Sequence, residues 1–243
     1  ELDWLRPNVQ GRSTWTVGLA MPREGSGARP RLLLRSDLVG TWLDLPEPLR
    51  KRPALPLPAR IDIPLPLGAG DIGVQLGQRV ALRARAGDGP AAIRVALGGG
   101  GVEAPEPGLA IGGRAAGLAP MEWVGLVGGG TEDRPAAGAG LALAGVDVQV
   151  DRLLLAGGHL GSVHLTGGAN AEGTQLRFSG EAMAGSLALP AGGSGALTGH
   201  FERLHWQRPA GAGGGVPASA MDACAAGDGR DPSLIPPTRR WGW

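Results

Sequence analysis

Apolar and polar residues alternate along most of this chain. In "TWTVGLAMP", Trp15, Val17, Leu19 and Met21 fall on one side of an extended segment, because successive strand side chains point to opposite faces. "RLLLRSDL" repeats the arrangement with Leu32, Leu34 and Leu38, and "ARIDIPLPLG" with Ile61, Ile63, Leu65 and Leu67. Pro64 and Pro66 cannot donate ladder hydrogen bonds, which predicts an edge or irregular strand there. Further alternating runs are "DIGVQLG", "RVALRARAG", "AAIRVALGG" and "GLAIGGRAAG", then "GVDVQVDRLLLAGG", "LGSVHLTGG", "TQLRFSG", "AMAGSLALP" and "GALTGHFERLHW". Roughly a dozen or more short strands joined by Gly-rich turns predict an all-β fold.

One segment departs from period two. "LAPMEWVGLVGGG" offers Pro120 for a first helical turn, Trp123, Leu126 and Val127 at helical spacing, and a glycine run to end it. It predicts a short helix near 119–127. From about 209 onward the pattern is lost, which predicts a low-complexity, poorly ordered tail over 209–243 after a β segment over 1–208.

Composition narrows what such strands can do. The 243 residues include 45 Gly and 21 Pro, touching the low-complexity range, yet 42% are hydrophobic and ordered in alternation. With two Phe and no Tyr, the apolar surface is built from Leu, Val, Ile and Ala. That suits either a smooth hydrocarbon-lined groove or the closed interior of a sandwich or barrel. A net charge of +1 argues against an electrostatic nucleic-acid binder. One cysteine, Cys224, excludes an intrachain disulfide and a Cys-based zinc site. No apolar run is long enough for a membrane-spanning helix, and a chain opening on Glu1 is expected to be part of something longer.

Several motifs invite chemistry and fall short of it. Gly68, Gly70 and Gly73 have the spacing of a dinucleotide fingerprint, but that fingerprint needs a helix next, and the residues that follow alternate as a strand. His159 and His164, like His200 and His205, are five apart, an odd separation that puts strand side chains on opposite faces. Glu132 with Asp133 and Asp147 with Asp151 sit in turns or at strand ends, and "GGSG" around Ser194 reads as a turn. No catalytic constellation emerges, so the expectation is a non-enzyme without cofactor or metal.

The phrase "RSDLVGTWLDLPEPLRK" breaks the alternation most sharply. Pro46 and Pro48 forbid a helix across it. It reads as a corner: Leu32 to Leu38 leaves the sheet, Trp42 to Leu49 packs as a rim or strap, Ala54 re-enters, and Asp37 satisfies turn amides.

The same phrase carries a family resemblance. Ser36, Asp37, Leu38 and Gly40, then Leu45, Pro46, Pro48, Leu49 and Lys51, followed by a Pro/Leu-rich strand, resemble the AsmA-like YhdP family of large Gram-negative envelope proteins. The run "AAIRVALGGGGVEAPEPGLAIGGRAAGLAPMEW" and the block ending in "GSLALP" are similar to later segments of that family, while the match is patchy beyond about 208. The resemblance implies a long, twisted antiparallel sheet curled into an open U-shaped, taco-like groove, on the order of 55 Å long at the usual strand spacing. It implies an inner-membrane anchor before residue 1, a periplasmic location, contacts with the outer membrane outside this stretch, and phospholipid acyl chains as the cargo. A structural or adhesive β-sandwich or solenoid without lipid transport is the alternative. The expected groove lining is Trp15, Val17, Leu19, Ile61, Ile63, Val74, Leu76, Val80, Leu82, Ile93, Val95, Leu97, Val146, Val148, Val150, Leu153, Leu155, Leu176, Phe178, Leu187 and Leu189.

Overall fold

A computed structural model describes residues 3–85, 87, 89–128, 142–155, 158–191 and 198–205. Every element below lies within the unit Glu1–Pro209. The expected tail over 209–243 lies outside the described residues, as do Glu132, Asp133, Ser194 and Cys224.

After a 3₁₀ turn at Asp3–Asn8, the chain forms β1 (Val9–Gly11), β2 (Thr16–Ala20), β3 (Arg31–Ser36) and β4 (Thr41–Leu43). Next come β5 (Ala59–Pro64), β6 (Asp71–Leu76), β7 (Val80–Arg85), β8 (Ala92–Leu97) and β9 (Gly108–Ala115), then the helix α1 (Pro120–Gly128). The rest comprises β10 (Leu143–Val150), β11 (Leu154–Leu155), β12 (Gly158–His159), β13 (Val163–Asn170), β14 (Gly173–Gly180), β15 (Met183–Pro190) and β16 (Thr198–Leu204). Twelve strands build one sheet in the order β16-β15-β14-β13-β10-β9-β8-β7-β6-β5-β3-β2. The sheet is open: β2 and β16 are its two edges, and it does not close into a barrel. β1 with β4, and β11 with β12, form two small two-stranded sheets beside it.

The wholly antiparallel arrangement is corrected at one strand. β9 runs parallel to both β8 and β10. Neither join is a hairpin: residues 98–107 link β8 to β9, and α1 lies in the chain between β9 and β10. A parallel neighbour requires the chain to travel back along the sheet before it pairs, which a tight turn cannot do. Gly113, at φ 105, lets β9 fit there, since a Cβ would run into the Leu97 carbonyl across the strand pair.

Of the two proline expectations, the edge strand is corrected and the irregular strand is what forms. β5 is an interior strand, paired with β3 on one side and β6 on the other. The β6 partners stop at Asp62, so Pro64 and Pro66 lie past the ladder to β6. The helix appears where the Pro120 signal put it, with Trp123 and Leu126 packed against the residues around Leu45.

Two clusters hold the unit together. One gathers Leu97, Val148, Val150, Leu153, Leu160, Val163, Leu165, Phe178 and Met183. The other gathers Leu38, Leu43, Leu45, Leu57 and Ala59. Leu160 is buried almost completely in the first, on the segment after β12 that covers the sheet. Leu160→Ala is expected to cost about 2–5 kcal/mol of stability through lost burial and a residual cavity, read as a lower urea midpoint for unfolding.

Candidate functional site

Strand register decides which side chains share a face, since directly paired residues stand on the same side of a sheet. Followed pair by pair, one row crosses all twelve strands: Val17, Leu34, Ile61, Val74, Leu82, Val95, Ile111, Val146, Gly167, Leu176, Leu187 and Gly199. Every side chain in that row is aliphatic or absent. At the usual strand spacing of about 4.8 Å the row is roughly 50 Å long.

Two parallel rows flank it. On one side lie Ala59, Leu76, Val80, Leu97, Val148, Leu165 and Phe178, and on the other Leu19, Leu32, Ile63, Ile72, Ile93 and Leu109. No ionisable side chain stands on this face among the paired residues. The opposite face carries Arg31, Arg35, Arg60, Asp62, Gln75, Arg83, Arg94, Asp147, Gln149, Thr166 and Arg177. Asp147 and Gln149 are thus on the wet side, with Asp147 2.7 Å from His164 and Gln149 donating to Ser162.

Exposure is graded across the apolar face. The flank containing Leu97, Val148, Leu165 and Phe178 is buried beneath Leu153 and Leu160. Beyond it, Ala59 and Leu76 lie against Leu38, Leu43, Leu45 and Leu57 of the segment between β3 and β5. The side chains of the central row are half-buried from Leu34 to Leu187. At the β2 edge the apolar side chains are open, with Val17 63% and Leu19 57% exposed. The sheet is therefore a floor with one covered side and one open side.

The covering strap is the phrase that broke the alternation. Leu38 holds a left-handed φ of 54, unusual for a branched side chain. Ser36 Oγ accepts from the Leu38 amide at 3.0 Å and Asp37 Oδ1 from the Val39 amide at 2.9 Å, the turn role expected of Asp37. The Leu38 carbonyl in turn accepts from Lys51 Nζ at 2.7 Å, beside the carbonyls of Thr41 at 2.8 Å and Arg52 at 3.1 Å. Lys51 is 2% exposed. Burial pushes its ammonium below the ordinary lysine value, and the Asp37 charge pulls it back up. Trp123 Nε1 donates to the Glu47 carbonyl at 2.9 Å, and Arg79 to the carbonyls of Pro48 and Arg50. The buried Lys51 thus ties the strap to itself, while the Arg79 guanidinium fastens it to the sheet and the Trp123 indole to α1.

Of the residues expected to line a groove, those from Val17 to Leu97, from Val146 to Val150 and from Leu176 to Leu189 lie on this one face. Trp15 precedes β2 and is outside the sheet. Leu153 and Leu155 belong to the covering segment: Leu153 bridges to Leu118, and Leu155 pairs in the small β11–β12 sheet. Sequence reasoning missed Leu32, Leu34, Ile72, Leu109, Ile111 and Leu165 as lining residues, although each alternates correctly in its own run. Gly68, Gly70 and Gly73 lead into strand β6 instead of a helix. Among the described residues no three His, Cys, Asp or Glu side chains come together to hold a metal.

The family model described as YhdP protein matches residues 2–234. The chain belongs to the YhdP family. Neither the curated proteins nor the solved structures gave a match. The match to the YhdP family passes through the strap and the apolar strands alike, and it continues past residue 208.

Lys51→Met is expected to leave the Leu38 and Thr41 carbonyls without their buried donor, at a cost of about 1–3 kcal/mol. Faster protease cleavage within 37–57, with a lowered urea midpoint, is the readout.

Proposed function

We propose that this chain is a segment of a lipid conduit, in which phospholipid acyl chains lie along the apolar face while headgroups stay in water. One observation carries the reading: the unbroken row from Val17 to Gly199 across twelve strands, free of charge and open on one side. Acyl chains need dry, non-directional contact, at about 0.8 kcal/mol for each methylene removed from water. Leu, Val and Ile on a pleated face supply that contact at every strand, so no single residue holds the cargo. Movement along such a face trades one aliphatic contact for an equivalent one, which keeps barriers low.

Membership of the YhdP family supports an envelope location, and the proposed path runs through the periplasm between inner and outer membranes. Supply of lipid at one end and removal at the other would come from regions beyond this stretch. A purely structural or adhesive β-module would use the same strands but would have no reason to keep a charge-free face open.

A photo-crosslinking residue placed at Ile61, Val74 or Leu82 in cells is expected to capture phospholipid, while the same probe at Thr166 or Arg94, on the polar face, captures little. Capture confined to the two polar positions would overturn the reading. Leu82→Asp should reduce lipid passage strongly while leaving the fold intact, because Leu82 is half-buried and lies outside both packed clusters. Its outer-membrane barrier defect, measured as detergent sensitivity alongside unchanged protein abundance, is the check.

A further inference from the structure

The polar side of the sheet holds an arrangement that alternation does not require. Arg35 of β3 stands directly opposite Arg60 of β5. Like charges at directly opposed positions destabilise a strand pair. Relief for this pair is slight: the Asp62 carboxylate is 3.9 Å from Arg60 but is engaged by Arg31 at 2.7 Å. Among the described residues no carboxylate makes an ion pair with Arg35. A second opposed pair, Arg83 and Arg94, differs in having Glu103 at 3.6 Å from Arg94.

The Arg35–Arg60 pair is also where the surface is indented. With Gln75, Gln78 and Ser36 it lines a cleft of about 460 Å³. No acidic residue lines that cleft; its polar side chains are those of Arg35, Arg60, Gln75 and Gln78, since Ser36 shares the apolar face and its hydroxyl accepts from the Leu38 amide. Gln75 pairs directly with Arg60, so three donors from adjacent strands follow one another along a single row.

We propose that this cleft binds a phosphate group, monoester or diester, between Arg35 and Arg60. A guanidinium presents a planar fork of N–H donors that matches two phosphate oxygens, and two forks from neighbouring strands can share one group. The bound dianion or monoanion removes the repulsion that the empty pair carries, and the Gln75 amide adds a neutral donor. The site stands one residue along each strand from Leu34, Ile61 and Val74, hence on the opposite face from the apolar row. Its ligand is therefore separate from any chain lying on that row. The phosphate comes either from a soluble molecule or from a lipid headgroup presented to the water side, and the chemistry of recognition is the same.

The test titrates the whole chain with inorganic phosphate by calorimetry, for wild type, Arg35→Gln, Arg60→Gln and Arg177→Gln. Arg177 shares the polar face but has Thr166 and Ser186 opposite it, so it serves as the control. Saturable binding is expected, weakened at least tenfold in the first two variants and unchanged in the third. The thermal midpoint of Arg35→Gln without phosphate should be at or above that of wild type, because a like-charge contact is gone. Flotation with phosphatidylcholine vesicles, with and without phosphatidylglycerol, separates the sources. Arg35-dependent capture by the anionic vesicles assigns the site to a headgroup, and phosphate binding without such capture assigns it to a soluble ligand. The proposal is overturned by neither phosphate binding nor Arg35-dependent capture, by equal loss in Arg177→Gln, or by a lower midpoint for Arg35→Gln.

Discussion

The whole sheet depends on twelve strands keeping one register. Side chains alternate with a period of two, so a slip of one residue at any strand pair would carry that strand's aliphatic set to the wet face. The row through Ile61, Val74, Leu82 and Val95 survives because each pairing is in step with the next. Where the pairing does shift, between Leu143 and Gly145 and between Ala184 and Gly185, the extra residue is absorbed and the row continues at Val146 and Leu187. Burial along one flank penalises slippage, so Val148, Val150 and Val163 act as much to fix register as to provide core.

The covered flank solves a second difficulty, the cost of leaving a broad aliphatic surface in water. The strap between β3 and β5 shields Ala59 and Leu76, and the segment around Leu160 shields Val148 and Leu165. Lys51 is central to the first of these covers. An ammonium is an unusual choice for a buried position, yet it satisfies several carbonyls that no short apolar residue could reach. The two Phe residues serve a related purpose. Their ring centres lie 6.4 Å apart across Gly185, filling the space its missing side chain leaves.

Much of this is legible in the sequence because alternation is a local property. The strands, the helix at Pro120, the turn role of Asp37 and the alternation within each strand all follow from residues a few positions apart. Pairing is not local, and that is where inference fails. The parallel placement of β9 depends on where the chain re-enters after residues 98–107, and no residue in "GLAIGGRAAG" encodes a direction. The prolines suggest an edge as long as their lost donors are weighed without knowing that the β6 ladder stops at Asp62. Lys51 is visible only as part of a family phrase, since a lysine between arginines looks solvated until Leu38 and Thr41 are seen around it. The opposition of Arg35 and Arg60 is hidden by a net charge near zero and by 24 intervening residues.

The uniformity of the central row also bears on how such a protein changes over time. A site made of particular residues fixes the dimensions of the scaffold that holds it. A row in which every strand contributes an interchangeable aliphatic side chain fixes only the width of the path. Inserting or deleting a hairpin alters the span by about 10 Å and leaves the chemistry untouched. Length then becomes a quantity selection can adjust in steps, much as a ladder is fitted to a wall by adding rungs.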